Sequence, residues 1–165
     1  MNRLAGTLAT LTFAGLAISV GTPARAAEDL CALLSPADFQ AAGVPGTRAP
    51  TKNPDSQGAY CVYAGKSGAT GGVEFDVFVT PNAAEAQAVY TELRYSVPKA
   101  AGPKVLPDTD QSEVAKLSGP PPYTLIIVRK GKLVFGVSAP ATAKSQEAVT
   151  ALARLVLQRA DKLAR

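Results

Sequence analysis

The chain has 165 residues, two cysteines, no histidine and no tryptophan, with 17 basic residues against 13 acidic ones. Without histidine the commonest general base is missing, and with it the Ser-His-Asp and Cys-His arrangements and most transition-metal sites. The length fits one domain able to bury its own core, and nothing in the composition asks for a cofactor or a metal.

The first residues carry an address. Asn2 and Arg3 make a short positive start, and Leu8 to Val20 is mostly apolar. That stretch is too short and too rich in Thr, Gly and Ala to span a bilayer comfortably. Thr22-Pro23-Ala24-Arg25-Ala26 then ends in the small-x-small pattern of a cleavage site. The expectation is a signal peptide over 1–26, cut after Ala26, and a secreted or periplasmic domain over 27–165. Arg3 and Arg25 leave with the leader, so 15 basic residues face 13 acidic ones and the net charge falls to +2. The remaining cations are dispersed. Their closest cluster, Arg129, Lys130 and Lys132 around Gly131, reads as a solvated hairpin tip, so no nucleic-acid partner is expected. No later apolar run approaches about 18 residues, so no transmembrane segment follows cleavage.

An oxidising destination gives Cys31 and Cys61 a role. They can form one intramolecular bridge, closing about 30 residues and contributing roughly 3–4 kcal/mol in the chain-entropy account. A redox pair is the weaker alternative, because Cys-x-x-Cys spacing and an activating group are both missing.

Ser35-Pro36-Ala37-Asp38 opens a short helix: Ser35 caps it, Pro36 suits the first helical position, and Asp38 favours the positive end. Gly43 and Pro45 stop it, and residues 44–58 read as a loop. Ala59 to Ala64 reads as a strand, and 65–72 as a flexible turn. From Gly72 to Thr80 the alternation is clear, with Val73, Phe75, Val77 and Val79 on one side. Asn82 caps a helix with Glu85 at the reciprocal position, running to about Ser96 with Ala84, Ala88 and Leu93 on its expected buried side. Between 97 and 122 the prolines and glycines break any long element, although Glu113 to Leu117 can make a short strand. Tyr123 to Lys130 and Leu133 to Ala139 form a hairpin about Gly131. Ala143 to Lys162 is the last helix, with Val149, Leu152, Leu155 and Val156 on one face.

Val73, Phe75, Val77 and Val79 recur as Leu133, Phe135, Val137 and Ala139 at an offset of 60, each set within a hairpin followed by a helix. This is either a duplicated unit or two units converging on one pattern. The expected fold class is α+β: a mainly antiparallel sheet with two helices packed on one face, plus a short N-terminal helix. The alternating odd positions should face those helices.

Cys31-Ala32-Leu33-Leu34-Ser35-Pro36-Ala37-Asp38, followed by Tyr60-Cys61-Val62-Tyr63, resembles the opening of a broad set of bacterial, actinobacterial-type secreted proteins and lipoproteins. Those proteins share a Cys-x-Leu-Leu-Ser/Thr start and a second cysteine in an aromatic-flanked strand. The resemblance covers roughly residues 29–160. This chain departs from it in lacking an acylated cysteine before the domain, and in having Pro107-Asp108-Thr109-Asp110 where those proteins carry Gly-x-Gly-Asp. Related folds serve as extracellular sensor domains. The resemblance therefore implies a binding module and transfers no catalytic residue.

Candidate sites are few. Glu74 and Asp76 lie two apart on a strand and share a side away from the apolar stripe. Such a pair can do acid–base work or bind a cation, although a solvated outer face shows the same alternation. Asp108, Asp110 and Glu113 have oxygen-ligand character but suit a plain polar turn better. The hairpin about Gly131 places Leu125, Ile127 and Val134 on the side of Glu74, Asp76 and Phe78. Either the 97–122 segment buries them or they form a partner surface, with Glu74, Asp76 and Arg129 at its margin. The expected function is a non-enzymatic binding or sensor-like domain of the cell envelope, whose partner is a protein or small molecule of unspecified identity. The alternatives are a histidine-free hydrolase using Glu74 and Asp76, and a self-associating structural protein of the envelope.

Overall fold

In the computed structural model, residues 29–44, 51–54, 58–63, 72–95, 97 and 104–163 are described. The expected leader and nearly all of the expected 65–72 turn lie outside them. A 3-10 turn at Leu30–Leu33 leads into α1 (Pro36–Ala41), followed by β1 (Thr51–Pro54), β2 (Gly58–Tyr63), β3 (Val73–Val79) and α2 (Ala83–Tyr95). The second half supplies β4 (Gln111–Leu117), β5 (Tyr123–Lys130), β6 (Leu133–Pro140) and α3 (Ser145–Leu163). The strands make one antiparallel sheet of six in the order β1-β2-β3-β6-β5-β4. The fold is α+β.

The local signals act as their chemistry dictates. The Asp38 backbone N–H donates to Ser35 Oγ at 3.4 Å while the Ser35 backbone N–H donates to Asp38 Oδ2 at 2.8 Å, a complete capping box. At α2 the Glu85 N–H donates to Asn82 Oδ1 at 2.9 Å, and Asn82 Nδ2 donates to Glu85 Oε1 at 2.7 Å. Lys130 pairs with Leu133 across a two-residue turn, which is possible because Gly131 takes φ +59°. One element departs from expectation. Residues 51–54 were expected within a loop but form β1, pairing Thr51 with Val62 and Pro54 with Ala59. Its residues have little intrinsic strand preference, and it lies at the sheet's edge, where proline is tolerated.

Each face of the sheet has its own core. On one face Phe75, Val77, Ile126, Val128, Phe135 and Val137 are buried against Val149, Leu152, Ala153 and Val156 of α3. Leu33, Leu34 and Phe39 close the same core from the N-terminal side. The Cys31–Cys61 disulfide spans 5.8 Å between Cα atoms within it, with both cysteines buried. Beside the bridge the Phe39 and Tyr63 rings meet edge-on at 4.5 Å, and the Tyr63 hydroxyl donates to the Cys31 carbonyl at 2.6 Å. Burial holds that phenol's pKa well above its ordinary value.

The second core lies on the opposite face. There Ala86 and Tyr90 of α2, together with Val97, pack on Ala115, Ile127 and Val134, with Phe78, Val89, Leu93, Leu117 and Leu125 partly buried around them. The expectation of both long helices on one face is therefore corrected: α3 covers one side and α2 the other. Val73, Phe75 and Val77 of the odd stripe of β3 do face a helix, but that helix is α3, and Val79 at the end of the stripe is 51% exposed. The even side carries its own apolar set, which draws α2 across it. The buried side of α2 changes accordingly. Ala84 and Ala88 are exposed, Leu93 is half-buried, and Ala86 and Tyr90 point inward.

Candidate functional site

Register assembles the candidate site. On the α2 side of the sheet Glu74 of β3 lies opposite Ser138 of β6, and Asp76 lies opposite Gly136. On β5, Leu125 is opposite Ser138 and Ile127 opposite Gly136. The helix α2 crosses the other end of this face, over Ile127, Val134 and Phe78. It leaves a hollow of about 140 Å³ lined by Glu74, Asp76, Gly136 and Ser138, with Leu93, Leu117, Leu125 and Ile127 around them.

Glycine 136 makes the floor. A Cβ there would sit 3.5 Å from Leu125 Cδ1, in ordinary contact, and would project a methyl group into the floor of the hollow. Ser138 is 6% exposed, and its Oγ has no hydrogen-bond partner among the described residues. An unpaired buried hydroxyl costs about 1–3 kcal/mol, so it requires a reason. Burial, reinforced by the neighbouring Glu74 carboxylate, pushes the Asp76 carboxyl up to about 6. Tyr60, opposite Asp76 on β2, has its phenol pushed up by burial, by Glu74 and then by Asp76. The ion pairs at Glu113, Asp110, Asp161 and Asp38 lie away from the hollow. The hollow thus offers two carboxylates, of which Glu74 is exposed and also accepts from the Tyr60 phenol, and one hydroxyl able to donate or accept, between aliphatic walls.

A wider cleft of about 530 Å³ lies between α2 and β4. Its polar groups are largely committed to one another. The Tyr90 hydroxyl donates to Glu113 Oε1 at 2.9 Å, Arg94 Nε lies 2.8 Å from that same oxygen, and Arg129 Nε donates to Gln111 Oε1 at 2.9 Å. Burial raises the Tyr90 phenol, and its bond to Glu113 adds to this. These contacts fasten α2 and the start of β4 to the sheet.

The seven residues expected at a partner surface are therefore divided. Ile127 and Val134 are 1% and 0% exposed beneath α2, with Phe78 partly buried beside them, so they form a core and not an open face. The cover is chiefly α2; the 97–122 segment adds Val97, Ala115 and Leu117 but sends Leu106 to the other core. Arg129 pairs with Asp110 at 3.1 Å. Its partner across the sheet is Val134, four residues along β6 from Ser138, or about 13 Å by strand rise. Glu74, Asp76 and Leu125 remain at the hollow, joined by Gly136, Ser138, Leu93 and Leu117. In the sequence, the interruption of an otherwise apolar β6 by Gly136 and Ser138 at even positions was the available signal. Asp110 accepts from the Gly131 backbone N–H at 2.8 Å and the Thr109 hydroxyl donates to the Leu106 carbonyl at 2.7 Å, so the Asp108–Asp110 stretch is a polar turn. Among the described residues no group of three acidic, cysteine or histidine side chains is placed to hold a metal ion.

No protein-family model matches the chain, and no curated protein or solved structure matches it either.

Proposed function

We propose that this chain is an exported, non-enzymatic binding domain of the cell envelope that takes a ligand in the hollow at Glu74, Asp76 and Ser138. The observation that carries the reading is the buried, unpartnered Ser138 hydroxyl beside the two carboxylates of β3. A fold keeps such a group at a cost in stability, and a polar ligand group would satisfy it. Export is supported by the N-terminal pattern ending at Ala26, by the resemblance to secreted proteins, and by the buried Cys31–Cys61 bridge of the kind that persists in oxidising compartments.

Two measurements test this reading. Mass spectrometry of the extracellular or periplasmic fraction should find a chain beginning at Ala27 or Glu28; an intact Met1 terminus rejects export. Amide NMR with a panel of small cationic, neutral and anionic metabolites should show shifts clustered at Glu74, Asp76, Gly136 and Ser138, whereas shifts confined to other residues reject the hollow.

The rival reading, a carboxylate hydrolase, draws on the raised Asp76 beside a second carboxylate, since a carboxyl whose pKa is raised by burial suits general-acid work. Turnover of generic ester or glycoside substrates that is lost in Glu74→Gln would establish it in place of the binding reading.

A further inference from the structure

We infer that the hollow takes a primary alkylammonium group, with the nitrogen among Glu74, Asp76 and Ser138 and the carbon chain along the leucines; this rests on the hollow being the binding site. The polar end holds two carboxylates, which only accept, and the unpartnered Ser138 hydroxyl, whose oxygen can accept from a ligand while its hydrogen turns to a carboxylate. An ammonium brings three donors, a positive charge and no acceptor. A carboxylate or phosphate would meet repulsion here. A neutral hydroxyl would leave the carboxylates without a counter-charge.

The walls decide between a bare cation and an amine. Leu93, Leu117, Leu125 and Ile127 line the rest of the hollow. They suit a methylene chain and supply no oxygen to a metal. Two carboxylates and a hydroxyl fall well short of the six to eight oxygens that calcium takes. At about 140 Å³ the hollow is small beside the sites of drug-sized ligands, which fits a slender group or the tip of a longer one.

Charge on Asp76 then tunes occupancy. Among the described residues, the titratable groups facing it are Glu74 on its own strand and Tyr60 on β2. The other elements contribute Gly136 and Ser138 from β6, Leu125 and Ile127 from β5, and Leu93 from α2. An ammonium beside the two carboxylates removes their mutual repulsion and draws the Asp76 pKa down. Proton release on binding follows.

The test is titration of the protein, as purified from its host, with n-butylammonium and with its neutral isostere n-butanol, followed by amide NMR. Butylammonium should shift the resonances of Glu74, Asp76 and Ser138 with a dissociation constant on the order of millimolar, as expected for so small a probe. Butanol should shift them far less. Affinity should rise several-fold between about pH 5 and about pH 7 as Asp76 ionises. Ser138→Ala should weaken binding by roughly three- to tenfold, the worth of one hydrogen bond to a charged group. Gly136→Ala adds a methyl group to the floor at ordinary contact distance from Leu125, so it should retain the native circular dichroism spectrum while weakening binding several-fold.

Cadaverine and Nα-acetyl-lysine amide then distinguish the two sources of such a group. Tighter binding of cadaverine assigns a free amine; tighter binding of the lysine derivative assigns a protein side chain. If butanol or butyrate shifts these residues as well as butylammonium does, the ammonium assignment is overturned while the hollow stands as a site. If none of the probes shifts them, both are overturned.

Discussion

The two faces of the sheet use the same kind of strand to different ends. The α3 face is largely closed: aliphatic and aromatic side chains of β2, β3, β5 and β6 fill it, and the Cys31–Cys61 cross-link is buried within it. The α2 face is half closed, with a small core under the helix and an acidic hollow beyond the helix. Carboxylates mark the contrast. Asp38, beside the closed core, receives two 2.7 Å hydrogen bonds from the Arg159 guanidinium, which holds its pKa at about 2. Asp76 has no such partner, and burial raises it to about 6. At Asp38 the charge is satisfied and contributes stability, as it is at Glu113 under α2. The hollow holds charge at a cost, which is the mark of a surface built for something besides folding.

The sharpest way to break this comparison is Ile127→Asp. If α2 makes a true core, a charge at a position 1% exposed should cost about 4 kcal/mol or more and unfold the protein at room temperature. An unchanged melting temperature by circular dichroism would mean that α2 does not cover this face.

Removal of the disulfide examines the closed side. Replacing Cys31 and Cys61 together by Ala should cost about 3 kcal/mol, read as a lower denaturation midpoint with the fold retained. A loss below about 1 kcal/mol would show that the packing of Phe39, Tyr63 and Leu34 already fixes the N-terminal segment.

Acid sensitivity should divide by face. The depressed Asp38 contributes stability that is complete above its unfolded value of 3.8 and is lost as pH falls toward about 2. Arg159→Ala should abolish that dependence and cost about 1 kcal/mol at neutral pH, a figure reduced because the Arg159 side chain is partly exposed. Asp76 works in the opposite sense. Its folded pKa lies above 3.8, so the folded state binds more protons, and stability falls as pH rises from about 4 to about 6. Asp76→Asn should remove that slope and raise stability at neutral pH by about 1 kcal/mol. Urea denaturation across pH measures both, and slopes of the same sign would refute the contrast.

The smallest effect is the most telling. Ser138→Ala removes a hydroxyl without a partner and should leave stability unchanged or raise it by about 0.5 kcal/mol. A loss of 1 kcal/mol would mean that the hydroxyl is satisfied in solution.

Much of this arrangement could be read in the sequence. The alternation in β3 and β6, the caps at Ser35 and Asn82, the Gly131 turn and the cysteine pair each act over a few residues, and each formed as its chemistry required. The side taken by α2 could not be read the same way. Its apolar residues are sparse, and Tyr90 is placed by packing on Ile127 and Val134 and by its bond to Glu113 on a strand distant in sequence. Nor could β1, whose residues pair because β2 offers an edge. The echo between β3 and β6 held for the strands, which lie side by side, and failed for the helices that follow them. The hollow was half visible: Glu74 and Asp76 are evident, whereas Ser138 and Gly136 gain meaning only from the register that sets them opposite.

The strand order also governs how the chain can assemble. β1, β2 and β3 follow one another across the sheet, as do β4, β5 and β6, so the single long-range seam is β3 against β6. Each half is a meander that can pair locally and quickly, while the seam waits for residues 80–132 to be made. Until then β3 presents a bare edge rich in valine and phenylalanine, the kind of edge that pairs with neighbouring chains. Crowded nascent chains should therefore aggregate through β3. Conversely, a chain cut between Val97 and Lys104 should yield two fragments that recognise each other along that seam.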